Sequence, residues 1–297
     1  MERDFSVPDL LIGTSGWGYD EWVGPFYPRW LRKEDFLHYY SEVFYTTEVN
    51  TTFYHIPSYR VVDGWVQRTP LDFKFSVKLP RTITHEAKLD LNECSDDLRR
   101  FLSVMKPLLD SDKFLAFLIQ LPPSFRRDEH FDNLVRFIDE WPIDISSEGS
   151  NLVVEFRHES WMRDDVFDFL RREGVSYCMV VEPLLPLKME VTNKSLAYVR
   201  FHGFGKKIWF DYYFKEEEIK DWALQLRSGV LGKADKICIY FNNHFSGYAA
   251  KNALMMIKEL GGVLRRDPKD ITSLDIDKRA GRLSSGQTSL DRFFKVS

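Results

Sequence analysis

Cysteine is scarce in this chain, and the scarcity excludes chemistry. Cys94, Cys178 and Cys238 are the three thiols among 297 residues, and no two form a Cys-x-x-Cys pair. That offers no zinc or iron–sulfur framework and fits reduced thiols in a cytosolic protein. Long apolar runs are missing too: none approaches the roughly 20 residues that a membrane-spanning helix needs. Met1-Glu2-Arg3-Asp4 lacks the layout of a signal peptide. The expectation is a soluble, cytoplasmic protein with no membrane partner. A basic excess is also absent. The net charge is −4, and residues 265–297 hold eight Lys/Arg against five Asp/Glu, so the tail is +3 and the remainder −7. A body that acidic does not hold DNA through its general field, so any nucleic-acid contact needs a local basic pocket or a tether. Repeats, low-complexity segments and a glycine-rich phosphate loop after the first strand are absent as well.

What is present is apolar sequence in quantity, 44% hydrophobic and 15% aromatic, enough for one large core. Short apolar runs alternate with amphipathic stretches. Strands are predicted at 10–15, 45–50, 73–79, 114–121, 151–157, 175–181, 196–202 and 236–242. Helices are predicted at 28–44, 61–68, 95–109, 130–141, 164–173, 216–227 and 248–260, leaving only the sixth-to-seventh connection without one. Eight strands alternating with helices point to an α/β fold, a (β/α)8 TIM-like barrel, with a doubly wound open sheet as the alternative. The division expected is a barrel over 1–264, a polar linker over 265–286 and a binding peptide over 287–297, the last two forming a flexible C-terminal tail.

At period two, the strands carry polar residues where a parallel strand covered on both faces should be continuously apolar. Glu48 and Asn50, Lys78, Gln120, Glu155 and Arg157, Arg200 and His202, and Asn242 then point into the barrel near the carboxyl ends of the strands, where barrel active sites are built. Lys78, Arg157 and Arg200 form a clamp for phosphate or carboxylate beside His202. Glu48 and Glu155 are candidates for general acid and base, one raised by the other, with His202 as a third catalytic group. Backbone amides of the Gly13–Gly16 turn offer themselves to an anion. Trp17, Tyr54 and Trp161 are candidate stacking walls. The plainer reading is an ion network that satisfies itself. No cofactor is expected. A single divalent metal from Glu48, Glu155, His158, His202 and His244 stays open, although the intervening cations and the lack of a His-x-x-x-His spacing weigh against it.

The tail carries a second signal. Gln287, Leu290, Phe293 and Phe294 stand at the spacing of a compact amphipathic turn after Ser284-Ser285-Gly286. The pattern resembles the box by which replication and repair proteins dock on the sliding clamp, PCNA. That resemblance implies a clamp partner, DNA contact through the clamp and a role in replication or repair.

Seven ordered motifs resemble a family as well. They are Ile12-Gly13-Thr14-Ser15-Gly16-Trp17; Glu48-Val49-Asn50-Thr51-Thr52-Phe53-Tyr54; Lys78-Leu79-Pro80; Gln120-Leu121-Pro122-Pro123; Glu155-Phe156-Arg157-His158; Arg200-Phe201-His202-Gly203; and Tyr240-Phe241-Asn242-Asn243-His244. Together they are similar to the YecE-like family, a domain of unknown function, over about 10–262. The resemblance implies a TIM-like barrel and brings no reaction with it. A clamp box on a mainly prokaryotic family suggests an archaeal source. The function expected is an enzyme of hydrolase type acting on a phosphate-bearing substrate, nucleic acid or nucleotide. A non-enzymatic clamp regulator and a metabolic barrel with a fortuitous tail are the alternatives.

Overall fold

The computed structural model describes residues 10–142 and 151–279. The box residues Gln287, Leu290, Phe293 and Phe294 lie outside the described residues. Eight strands follow one another as β1 (Leu10–Thr14), β2 (Thr46–Val49), β3 (Lys74–Lys78), β4 (Phe114–Gln120), β5 (Asn151–Glu155), β6 (Ser176–Val181), β7 (Leu196–Phe201) and β8 (Lys236–Phe241). All seven ladders between neighbours are parallel, and β1 returns to pair with β8. The helices are α1 (Phe36–Val43), α2 (Tyr59–Gln67), α3 (Leu91–Leu109), α4 (Arg127–Asp139), α5 (Asp164–Arg172), α6 (Glu216–Gly229), α7 (Tyr248–Leu260) and α8 (Ser273–Arg279). This is a TIM-like (β/α)8 barrel.

The strands' period sorts the core into two layers. Outward residues such as Ile12, Val77, Ile119, Val154, Val199 and Ile239 pack under the helices in the larger cluster. Leu11, Leu118, Val153, Cys178, Tyr198 and Tyr240 fill the barrel interior. The polar residues at the strands' carboxyl ends continue that inner layer upward.

Ring closure departs from the ladder pattern. β1 and β2 share one bridge, between Ser15 and Glu48. Side chains complete the seam. The Tyr40 hydroxyl on α1 lies 2.9 Å from Thr14 N, whose proton it accepts, and 3.1 Å from the Thr46 carbonyl, to which it donates. Thr47 Oγ1 donates to the Thr14 carbonyl at 3.0 Å. Gly13 permits this approach, because a Cβ there would stand 2.2 Å from the Thr46 oxygen.

Three expectations need correction. The predicted helix over 28–44 is a helix only over Phe36–Val43, after a short 3₁₀ turn at Lys33–Asp35. The segment before it buries Trp22, Phe26 and Tyr27 as an aromatic wedge against Tyr39 and Phe36. The stretch assigned to a polar linker over 265–286 is packed as far as α8: Ile271 and Ile276 are buried, Arg265 pairs with Asp72, and the Arg265 amide donates to the Val43 carbonyl. Two isoleucines at a spacing of five were enough to dock it. α3 also begins earlier than its apolar period suggests, because Asp90 caps it by accepting from the Asn92 amide.

Candidate functional site

The polar strand ends meet as predicted, but most of their charge is already paired. Arg200 stands at the centre, 1% exposed. It donates through Nη2 to Glu48 Oε1 at 2.7 Å and through Nη1 to Glu155 Oε2 at 2.5 Å. Glu48 also accepts from Ser15 Oγ at 2.8 Å and Tyr198 OH at 2.7 Å. Arg157 fans out above, donating through Nε to Glu155 Oε1 at 2.5 Å, through Nη1 to Glu182 Oε2 at 2.9 Å and through Nη2 to His202 Nε2 at 2.8 Å. The Asn242 amide lies 2.9 Å from His202 Nδ1 and 3.2 Å from Asn50.

These contacts decide protonation. Burial alone would push Glu155 up, yet Arg157 and Arg200 outweigh it and hold the carboxyl well below its usual range. Burial, then Arg157 and Arg200, pushes the His202 ring down to about 3, so it is neutral at pH 7. A neutral imidazole has one acceptor nitrogen, and Arg157 occupies it, so Nδ1 carries the proton toward Asn242. That tautomer pairs best with the Asn242 and Asn50 amides both reversed, which also gives the buried, unpartnered Asn50 oxygen a donor. Burial raises Glu182 despite Arg157, and its Oε1 is buried with no hydrogen-bond partner. Lys78 is lowered to about 7, by burial first and by Arg200 next.

Above this network opens a cavity of about 480 Å³. Its wall takes in eight of the predicted residues: Asn50, Tyr54, Lys78, Gln120, Arg157, Arg200, His202 and Asn242. Glu48 and Glu155 lie beneath the cavity, fully buried, so the acid–base roles expected of them fall instead to support of the cations above. The two tryptophans also need correction. Trp161 is buried between Phe125 and Phe156 and donates from Nε1 to the Phe125 carbonyl at 2.7 Å. Trp17 packs edge-on against Trp65 and Phe75. Both complete core packing, as aromatics near strand ends commonly do. Tyr54, 79% exposed, stands at the rim. The anion cradle expected of the Gly13–Gly16 turn is occupied internally: Ser15 N donates to Phe241 O, Gly16 N to Thr14 O and Thr14 N to Tyr40 OH.

The candidate metal ligands have other partners in this structure. Among the described residues no group of three or more His, Cys, Asp and Glu is placed to hold an ion. Glu48 and Glu155 face guanidiniums, His158 Nδ1 lies against Ser160 Oγ, and His244 stacks on Tyr19 while Nδ1 meets Glu21. No helix among the described residues is long and apolar enough to cross a membrane.

Several lining residues escaped the sequence reading. Glu182 follows β6 in register with Cys178 and Val180, the inward parity, so the alternation that exposed Glu155 also marks it. Phe53, Tyr19, Trp209 and Phe210 supply the aromatic wall assigned to the tryptophans. Trp209 and Phe210 come from the long connection after β7, where no period operates.

Fold and site together define a (β/α)8 barrel with a charged, aromatic-rimmed pocket at the carboxyl ends of its strands. The chain belongs to the family described as "Protein of unknown function DUF72", whose model matches residues 11–272. It is 26% identical over 275 residues to the UPF0759 protein YunF of Bacillus subtilis, spanning 84% of this chain and 94% of that one. It is 34% identical over 150 residues to the UPF0759 protein YecE of Escherichia coli, spanning 50% of this chain and 48% of that one. A crystal structure of a DUF72 family protein from Thermotoga maritima superposes with a TM-score of 0.75 at 32% identity, over 85% of this chain and 99% of that one. These relatives are bacterial and lend no support to an archaeal source.

Proposed function

We propose that this chain is a barrel enzyme for a small substrate carrying a phosphate or carboxylate on an aromatic or sugar-like body, a nucleotide being the best fit. One observation carries the reading: Lys78, Arg157 and Arg200 converge on a single cavity whose rim is aromatic. The anionic group meets the cations, and the body stacks on Tyr54 and Phe210. A volume of about 480 Å³ suits one nucleotide and excludes a duplex. Titration calorimetry of the full chain tests this with adenosine monophosphate and adenosine. The phosphate is expected to tighten binding about tenfold or more, in line with a charge-assisted contact. Tyr54→Ala is expected to weaken adenosine monophosphate by about tenfold through lost stacking. Equal affinity for the two ligands would sink the reading.

A second reading concerns location. Gln287, Leu290, Phe293 and Phe294 lie beyond residue 272, where the family match ends, so the box is an addition to the family domain. We infer that it docks on a sliding clamp and that tethering supplies the DNA proximity the acidic body lacks. Calorimetry against the host's clamp is expected to show binding by the full chain. That binding should vanish in Phe293→Ala/Phe294→Ala and in a version ending at Ser284. Retained binding by either variant removes the box from the account.

A further inference from the structure

We propose that Lys78 is the nucleophile of the cavity, an amine that condenses with an aldehyde or ketone on the anionic substrate. The inference rests on the anionic-substrate reading above, narrows it to anions that carry a free carbonyl rather than an intact nucleotide, and adds the reacting atom.

Geometry carries it. Lys78 ends β3 at the carboxyl edge, 9% exposed, and its nitrogen lies 3.9 Å from the centre of the Phe53 ring on the cavity wall. On that wall Arg157 is tied to Glu155, and Arg200 to Glu48 and Glu155. Among the described residues the Lys78 nitrogen makes no ion pair and no hydrogen bond. The carboxylates beneath it, Glu48 on β2 and Glu155 on β5, are spent on Arg200 and Arg157. Facing it are Arg157 beyond β5, Arg200 on β7 and His85 in the turn after β3, whose ring is itself pushed down to about 4 by burial and by Lys78.

A lysine kept only for its charge is normally paired when buried. This one lies beside cations and an aromatic face. Burial first, and Arg200 next, brings it down to about 7, leaving a large neutral fraction at physiological pH. A neutral, desolvated amine in a pocket is the form that attacks a carbonyl.

The step balances with groups that line the cavity. The nitrogen lone pair forms the C–N bond, and the carbonyl π pair moves to oxygen, which takes a proton from nitrogen to give a carbinolamine. The hydroxyl then leaves as water with a proton from Glu182, the lining carboxyl whose Oε1 is buried without a partner. The nitrogen pair closes the C=N bond of a protonated imine. Glu182 is left ionised against Arg157, and no oxidant or reductant is consumed. The imine then draws electrons from the adjacent carbon, which suits bond making or breaking beside the former carbonyl.

Reductive trapping tests the assignment. The full-length protein is incubated at pH 7 with glyoxylate and cyanoborohydride, and the labelled peptides are followed by mass spectrometry. Lys78 is expected to be alkylated at least about tenfold faster than any other lysine, and Glu182→Gln to slow that labelling about fivefold or more. Label spread over surface lysines with Lys78 no faster overturns the nucleophile. An unchanged rate in Glu182→Gln overturns the proton donor. If propionaldehyde, which bears no anion, labels Lys78 as fast as glyoxylate, the anionic-substrate reading fails and the nucleophile stands. If adenosine monophosphate binds while Lys78 stays unlabelled, the reading stands and the nucleophile fails.

Discussion

Arg200→Ala is expected to lower the unfolding free energy by about 3–5 kcal/mol, the typical cost of breaking a buried ion pair from one side. The guanidinium is 1% exposed, and its Nη atoms reach Glu48 and Glu155, both fully buried. Removing it strands two carboxylates in the barrel centre, with Ser15, Tyr198, Arg157 and the Cys178 thiol as their remaining donors. Urea denaturation at pH 7 measures the loss, and a change below about 1 kcal/mol would show that water or relaxation replaces the arginine. The triple variant Arg200→Met/Glu48→Gln/Glu155→Gln is expected to recover much of that stability, because it removes the three charges of the Glu48–Arg200–Glu155 group together and leaves Arg157 to Glu182. It should also empty the pocket of its electrostatic support.

Acid is expected to destabilise the protein from pH 6.5 downward, before most carboxylates titrate. In the fold, the His202 ring takes a proton only near pH 3, against an ordinary value of 6.5. Between those values the unfolded chain binds a proton that the native chain refuses, so stability falls as pH falls. Each such group contributes roughly 1.4 kcal/mol per pH unit. Glu155 has the same sign in a lower window: its folded value is depressed, so its contribution is present above the usual 4.5 and is lost as pH drops below that. Urea midpoints at pH 7, 6 and 5 should therefore decline, and His202→Asn should flatten the decline by about one proton. An identical slope in the variant would mean that the ring is not held neutral.

The fold was legible because β-strand and helix periods differ, and the outer faces of the strands are apolar apart from Thr14 and Thr47 at the β1–β2 seam. The inner face was legible for the same reason. Glu48, Lys78, Glu155 and Arg200 interrupt it at positions that only a barrel mouth tolerates. Alternation could not show which of those charges face each other. The eightfold geometry brings Arg200 between Glu48 and Glu155, residues 152 and 45 positions away in sequence. The acid–base pair expected there is consequently a pair of supports. Trp161 and Trp17 misled because an indole near a strand end fills core and lines pockets with equal chemistry; its neighbours decide. Glu182 was within reach of the pattern, one residue past a strand that is apolar after Ser176. Trp209 and Phe210 were not, since connections carry no period.

The seam between β1 and β2 makes the cylinder conditional. Seven of its eight joints are main-chain ladders that strands form for themselves. The eighth combines a single bridge with side-chain links, among them a phenol from α1 set between Thr14 and Thr46. Glu48, bridged to Ser15 across that joint, reaches Arg200 from the same seam. The docking of a helix outside the ring and the pairing of charge inside it thus meet at one joint.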